Sequence, residues 1–457
     1  MSVVAIIGAG MMTKPMVEYF FEQTEYEVMV VNRTFSKALE LVGDHPRGRA
    51  IAWSTEHPEV LDEIMKKADV AISMVPKPVH IHVARACLRH GTHMLTTSYE
   101  IPELLALDKD AIDAGILILN ELGEVPGLDH FGTQLLLDRV AADGGRVLAV
   151  ESYGSGLPSF EHNRNPFGYK FSWDPRTMFV AAQTPAAYLV DGERVEVGGD
   201  ELFEHFWLVD LGETGIYESY PNKDVAKYVK PFGIPEDASF YRGLLRFPGY
   251  CNKMQAIMAL GLVDNETVHD FSGMSRRDVM AQLIGKPASD DPVRDTAVQL
   301  GVGIGSDVIQ SLNWLGMFDT KPAGLDKGTY LDVLLDRMLA KMSYRPHERD
   351  MILLHIDVLA EFNGGRREQR TAVMRVEGIP HGASAMSRAV GLPAVIAAHA
   401  VMEGRLNAVG CHMPPTLPEL YPIALEAMSR FGFVFTLSKS EVDEETHFNG
   451  RNLLFER

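Results

Sequence analysis

Near the start of the chain, the stretch GAGMMTKP sets Gly8 and Gly10 two residues apart, with Thr13 where a third glycine often stands. Glycines so placed let a chain turn sharply after a strand and bring its backbone against a pyrophosphate, whose charge the next helix N-terminus holds. A second apolar run ends in Asn32, Arg33 and Thr34. An acidic residue there would bond a ribose 2′-hydroxyl, whereas an amide, a guanidinium and a hydroxyl suit a 2′-phosphate, so NADP(H) is expected over NAD(H). A third stretch, NELGEVPGLDH at 120–130, passes through two acids, breaks on Pro126 and Gly127, and resumes with Asp129 beside His130. A carboxylate next to an imidazole is suited to polar contact and proton transfer near neutral pH.

These residues need elements to hold them. VVAIIG, EVMVVN, DVAISMVP, THMLTTS and GILILN are apolar runs of the kind buried on both faces of a parallel sheet, and the intervals 14–23, 36–42, 80–89 and 102–114 have helical spacing. Strand alternating with helix predicts an α/β fold, a Rossmann-type dinucleotide-binding domain over residues 1–125. Ligands of such sheets bind outside the carboxyl ends of the strands. Val75 in SMVP, Thr97, Ser98 and Tyr99 in TTSYE, and the NELGEVPGLDH loop should therefore meet there. Tyr99 and Asp129 are expected as polar contacts at the reacting carbon and His130 as a proton shuttle. Each also has a plainer reading: Ser98 as a helix cap, Tyr99 as a packing aromatic, and Asp129 and His130 as groups that cap or orient the next helix.

Past Pro126 the texture changes. RVLAVESYGSGLP reads as a strand into a glycine-rich loop, AYLVDGERVEV as a hairpin through Asp191 and Gly192, and the segment around Asn363 and Gly364 as a longer hairpin. This predicts a second, mixed-sheet α+β domain for substrate and dimerisation over 126–251 and 343–383. A helical subdomain is expected at 252–342, and a C-terminal segment, 384–457, packing back on the Rossmann domain. The net charge of −19 opposes nucleic acids and acidic membranes as partners. Cys87, Cys251 and Cys411 are scattered without metal-ligand spacing, so buried free thiols and no metal are expected. The absence of a basic signal region and of an uncharged apolar run near 18 residues favours a soluble, cytoplasmic protein.

GAGMMTKP, TTSYEIPELLALDKDAIDAGILILNELGEVPGLDH, SYGSGLPSFEHNRNPFGYKFSW, YPNKD, RGLLRFPGY, ERDMILL and SAMSRAVGLPA stand here in this order. The chain thereby resembles the saccharopine reductases, the NADP-dependent, L-glutamate-forming saccharopine dehydrogenases of the aminoadipate route to lysine. The resemblance implies a homodimer that joins 2-aminoadipate 6-semialdehyde to glutamate through an imine that NADPH reduces. Gly10, Met11, Met12, Thr13 and Asn32 to Thr34 would then contact NADP, with Thr97, Ser98, Glu124, Val125 and Pro126 near the nicotinamide and Ser172 also near the cofactor. Ser98 and Tyr99 would touch the amino-acid substrate, and Lys223, Leu245, Arg246 and Phe247 would face its carboxylates. Two positions depart from the family pattern: Val125 stands where Asp is usual and Lys223 where Arg is usual. They leave open an imine reductase for another amine and carbonyl pair, or a noncatalytic NADP(H)-binding sensor. Glu124 is expected to point away from Val125, as neighbours on an extended segment do.

Overall fold

The structure, a computed structural model, describes residues 2–443. The five apolar runs are strands β1 (Val3–Ile7), β2 (Glu27–Asn32), β4 (Val70–Ser73), β5 (His93–Thr96) and β6 (Leu117–Leu119). The parallel sheet also holds two strands that no apolar run announces: β3 (Gly48–Ala52) at one edge and Gly410–His412 at the other. Gly48–Ala52 is only partly buried and pairs with β2 alone, so its sequence needs no continuous apolar face. Gly410–His412 joins β6 in parallel register, Cys411 opposite Ile118, and brings a distant part of the chain into the sheet. Helix α1 (Thr13–Gln23) follows the glycine turn, as the pattern requires.

The chain folds as two compact units, with boundaries different from those the sequence suggested. Among the described residues, the first contains those up to Gly156, the segment Lys227–Ala238, and residues 351–443. Residues 126–156 and 351–383, expected in a separate substrate domain, fall in the same compact unit as the parallel sheet, while their strands lie in the mixed sheet, as expected, and not in the parallel one. The reason is local packing: helix Leu128–Ala142 buries one side in this unit, and strands Asp350–Glu361 and Arg367–Glu377 form the long antiparallel hairpin, extended by Thr436–Val442. Helix Ala385–Met402 is long and apolar enough to cross a membrane but is 78% buried, and it packs on α1 and the sheet. Gly391 permits the close approach, since a Cβ there would lie 3.1 Å from the Met12 carbonyl oxygen. The part of the expected C-terminal segment beyond residue 443 lies outside the described residues.

The second unit contains 157–226 and 239–350. Strands Trp207–Asp210, Ile216–Pro221 and Ser239–Arg246 pair antiparallel in that order, and the hairpin Ala186–Val190 with Glu193–Val197 adds to the last of them. The expected turn through Asp191 and Gly192 is present, both residues having positive φ as a tight two-residue hairpin demands. The helices Tyr250–Ala259, Arg276–Leu283, Pro292–Gln299, Asp307–Leu315 and Tyr330–Met342 occupy the expected helical stretch. Ser275 with Asp278, and Thr329 with Asp332, form reciprocal capping boxes that fix two of their starts. A Rossmann-type parallel sheet and a second mixed-sheet region with inserted helices are thus both present.

Candidate functional site

The glycine loop has the geometry of a phosphate cradle. Gly8 sits at φ +123° and donates its N–H to the Val31 carbonyl at 2.7 Å, while a Cβ there would lie 2.5 Å from the Met74 carbonyl oxygen. Gly10 faces open space, with nothing within 4 Å of its Cβ position. Thr13, fully buried, replaces a third glycine by bridging the loop: its hydroxyl donates to the Gly8 carbonyl and accepts from the Gly10 N–H, both at 3.1 Å. Asn32 joins this loop to the end of β2, accepting from the Ala9 N–H at 3.2 Å and donating to the Thr34 carbonyl at 3.0 Å. Met11 and Met12 flank the α1 N-terminus, where no side chain caps the first turn. Arg33 and Thr34 are exposed, and the Arg33 guanidinium makes no hydrogen bond or ion pair with any other described residue. The open Gly10 cradle beside a cation available to a ligand fits NADP. An Arg33→Ala variant should raise KM for NADP+ by roughly 10 to 100-fold, the worth of a charge-assisted hydrogen bond, and leave KM for NAD+ within about 2-fold in steady-state assays.

At the ends of β4 and β5, Val75 and Thr97 are half-buried, and Thr97 Oγ1 lies 3.6 Å from Met74 Sδ. The Ser98 hydroxyl does not cap a helix. It meets His80 Nε2 at 2.9 Å, and His80 Nδ1 meets the Ser73 hydroxyl at 2.8 Å. This inaccessible imidazole fixes the Ser98 hydroxyl. Burial, with Lys77 adding to it, pushes the His80 pKa down from 6.5 to about 4. Between those values the unfolded chain takes up a proton that the folded chain refuses, so stability falls as pH drops through the window. His80→Gln should remove that part of the slope, worth about 3 kcal/mol, in urea unfolding followed at pH 7 and pH 4.5.

Tyr99 is half-buried between two lysines. Lys227 Nζ lies 5.6 Å and Lys77 Nζ 5.9 Å from its ring centroid. The chain on both sides of Tyr99 is held by Glu121, whose N–H donates to the Ser98 carbonyl and whose Oε1 accepts from the Glu100 N–H, at 3.0 and 3.1 Å. The same buried carboxylate accepts from Lys227 Nζ at 2.6 Å and the Tyr228 hydroxyl at 2.8 Å, and pairs with His130 Nε2 at 3.0 Å. Burial raises the Glu121 pKa, but His130 and Lys227 outweigh it and hold the carboxyl far below the usual range. Glu121 also takes φ +64°, a conformation that side chains adopt when surrounding bonds impose it.

The structure places Asp129 and His130 in buried, supporting positions. They are 1% and 2% exposed. Asp129 Oδ1 turns back to accept from the Gly127 N–H at 2.7 Å, and the His130 ring packs on Tyr228 and Phe232 while pairing with Glu121. Both hold the loop and the start of helix Leu128–Ala142, which was the plainer reading. The expected opposition of Glu124 and Val125 fails. Both side chains converge on Gly154: a Cβ there would lie 2.5 Å from Val125 Cγ2 and 3.7 Å from Glu124 Oε1. The segment is a tight turn, with the Gly123 N–H donating to the Pro126 carbonyl across a cis Val125–Pro126 peptide, so strand alternation does not apply.

In the second unit, Arg246 is 4% exposed, its guanidinium 5.0, 5.5 and 5.2 Å from the ring centroids of Tyr169, Tyr220 and Tyr250. Its Nη1 donates to the Leu245 carbonyl at 2.7 Å. This buried aromatic cage was not expected of a carboxylate clamp. Leu245 is fully buried and the Phe247 ring packs against Phe160 and Tyr217. Lys223 is half-buried at φ +64°, its carbonyl accepting from the Ala187 N–H. The Ser172 hydroxyl is buried and has no hydrogen-bond partner among the described residues.

Residues 4–119 match the saccharopine dehydrogenase NADP binding domain, and residues 123–433 match the saccharopine dehydrogenase C-terminal domain. The chain belongs to the saccharopine dehydrogenase family. It is 30% identical to the NADP+, L-glutamate-forming saccharopine dehydrogenase of Schizosaccharomyces pombe over 97% of this chain and 99% of that protein. It is also 30% identical to the mitochondrial alpha-aminoadipic semialdehyde synthase of Bos taurus, over 95% of this chain and 47% of that longer protein. Among solved structures, the apo L-Glu-forming saccharopine dehydrogenase of Saccharomyces cerevisiae matches with a TM-score of 0.86 at 27% identity, covering 96% of this chain and all of that one. Within this saccharopine dehydrogenase fold, the side chains that surround Tyr99 were not singled out in the sequence. Glu121 lay unremarked inside NELGEVPGLDH, His80 within a helical interval, and Lys227 four residues beyond Lys223.

Proposed function

We propose that this protein is an NADP-dependent oxidoreductase that acts on the CH–NH bond of saccharopine, releasing glutamate and 2-aminoadipate 6-semialdehyde, and that runs the reductive condensation in reverse. The observation that carries the reading is the near full-length likeness to L-glutamate-forming enzymes together with an open glycine cradle and an available Arg33. NADP+, when bound, supplies the hydride acceptor. The protein's part is to hold the secondary amine, let it lose its proton, and admit one water to the resulting imine carbon so that the C–N bond breaks. Ser98, fixed by His80, and Tyr99, flanked by two ammonium groups, are the polar contacts assigned to that end of the substrate.

Val125 lacks the carboxylate that usually stands at its position, and Glu124 is assigned to supply it. Glu124 is only 6% exposed, and its Oε1 reaches the neighbourhood of Gly154 beside Val125. Glu124→Gln should lower kcat/KM for saccharopine by roughly 10 to 100-fold, the loss expected when a charged partner of a substrate ammonium is neutralised, with KM for NADP+ unchanged. The reading itself is tested by NADP+ reduction with saccharopine as sole substrate, beside NAD+ and the Val125→Asp variant. Turnover with NADP+ by the unmodified chain is the expected result. Absence of turnover with tight NADPH binding retained would turn the search to another amine and carbonyl pair. A cytoplasmic homodimer remains part of the proposal, and light scattering of the purified chain measures its size.

A further inference from the structure

We propose that Lys227 is a carboxylate anchor for the amino diacid substrate, aimed by the buried Glu121 and working beside Tyr99; this rests on the reading of Tyr99 as a substrate contact. The chain carries a net charge of −19 and must hold a multiply anionic ligand, so it needs cations fixed at the site itself. Lys227 is such a cation. Its side chain is 35% exposed while its partner Glu121 is wholly buried, so the ammonium sits at the mouth of the cluster rather than inside it. One of its three N–H donors reaches Glu121 Oε1 at 2.6 Å, and the other two have no hydrogen-bond partner among the described residues.

A purely structural role explains this arrangement poorly. Glu121 is already bonded to the Glu100 N–H, His130 and the Tyr228 hydroxyl, so its desolvation is offset without a lysine. What Glu121 does for Lys227 is orientation: a long flexible side chain is held 4.6 Å from the Tyr228 centroid and 5.6 Å from the Tyr99 centroid. Lys77, on the turn after β4, brings a second ammonium to the same Tyr99 ring. Two cations around one half-buried phenol, one of them pinned, make a place for a carboxylate of a ligand that contacts the phenol.

The test compares Lys227→Met, Lys227→Gln, Lys227→Arg and Lys77→Met with the unmodified chain. For saccharopine oxidation, Lys227→Met should raise KM roughly 10 to 100-fold with kcat changed less than about 5-fold and KM for NADP+ unchanged, while Lys227→Arg recovers most of the loss. Lys77→Met should raise KM by roughly 2 to 5-fold, as an exposed and unpinned cation would. Lys227→Gln keeps an N–H toward Glu121 and carries the test if methionine unfolds the chain. A KM for saccharopine that Lys227→Gln leaves unchanged overturns the anchor. Should the unmodified protein not oxidise saccharopine, the reading of function fails by itself, and the anchor is judged by glutarate titrated into the NADPH-loaded protein with NADPH fluorescence as the signal. Glutarate binding weakened tenfold or more in Lys227→Gln supports the anchor. Equal binding, or no glutarate binding by the unmodified protein, overturns it.

Discussion

Gly8→Ala is expected to cost about 3 kcal/mol or more of stability and with it NADPH binding, whereas Gly10→Ala should fold normally and still bind NADPH roughly 10 to 100-fold more weakly. The two glycines sit two residues apart in one loop, but their reasons differ. At Gly8 the backbone takes φ +123°, outside even the left-handed region that asparagine and aspartate tolerate, and the added methyl would lie 2.5 Å from the Met74 carbonyl oxygen. That oxygen is backbone at the end of β4 and cannot swing aside. Relief would require β1 and β4 to part where Ile7 opposes Ser73. At Gly10 the Cβ direction is open, so a methyl meets no protein atom. It would occupy the space through which a pyrophosphate approaches the backbone. Urea unfolding separates the pair from one side and NADPH fluorescence titration from the other. A Gly10→Ala protein that binds NADPH as tightly as the unmodified chain would show that the cradle lies elsewhere.

What could be read from the sequence was what local chemistry determines. A glycine turn between an apolar run and a helix is written within eight residues, so Gly8, Gly10 and the replacement of a third glycine by Thr13 were visible. So was the hairpin through Asp191 and Gly192. β3 and Gly410–His412 were not visible, because an edge strand of five residues, none of them buried, and a strand of three need no apolar run of their own. Their place is decided by neighbours far away in the chain. The surroundings of Tyr99 were invisible for the same reason: Glu121 and Lys227 are 106 residues apart, and Ser98 meets His80 across 18. The error over Glu124 and Val125 came from applying strand alternation to a turn. In the folded chain, Val125, Leu354 and the empty Cβ position of Gly154 share one small volume, so residue types at 125 and 154 constrain each other although nothing in their spacing says so.

Glu121→Ala should have the other large effect, destabilising the protein by about 3 to 5 kcal/mol and removing most activity even where the variant is folded. The carboxylate is wholly buried and is bonded at once to the Glu100 N–H, Tyr228, His130 and Lys227. Deleting it leaves these groups to be desolvated without compensation, and alanine gains nothing from the positive φ the backbone must still adopt. Glu121→Gln provides the contrast. Its carbonyl oxygen accepts from the Glu100 N–H and a second donor, but its amide donates where the carboxylate accepted, and the charge that holds Lys227 is gone. Activity should therefore fall in Glu121→Gln more than stability does, with the loss appearing in KM for saccharopine, as for Lys227→Met. A double-mutant cycle between Glu121→Gln and Lys227→Met then measures the coupling directly. If Glu121 acts on substrate through Lys227, the KM effects of the two changes are strongly non-additive, and the double variant is hardly worse than either single one. If each contacts substrate independently, the effects multiply, and Glu121 is a substrate ligand in its own right rather than the group that aims one.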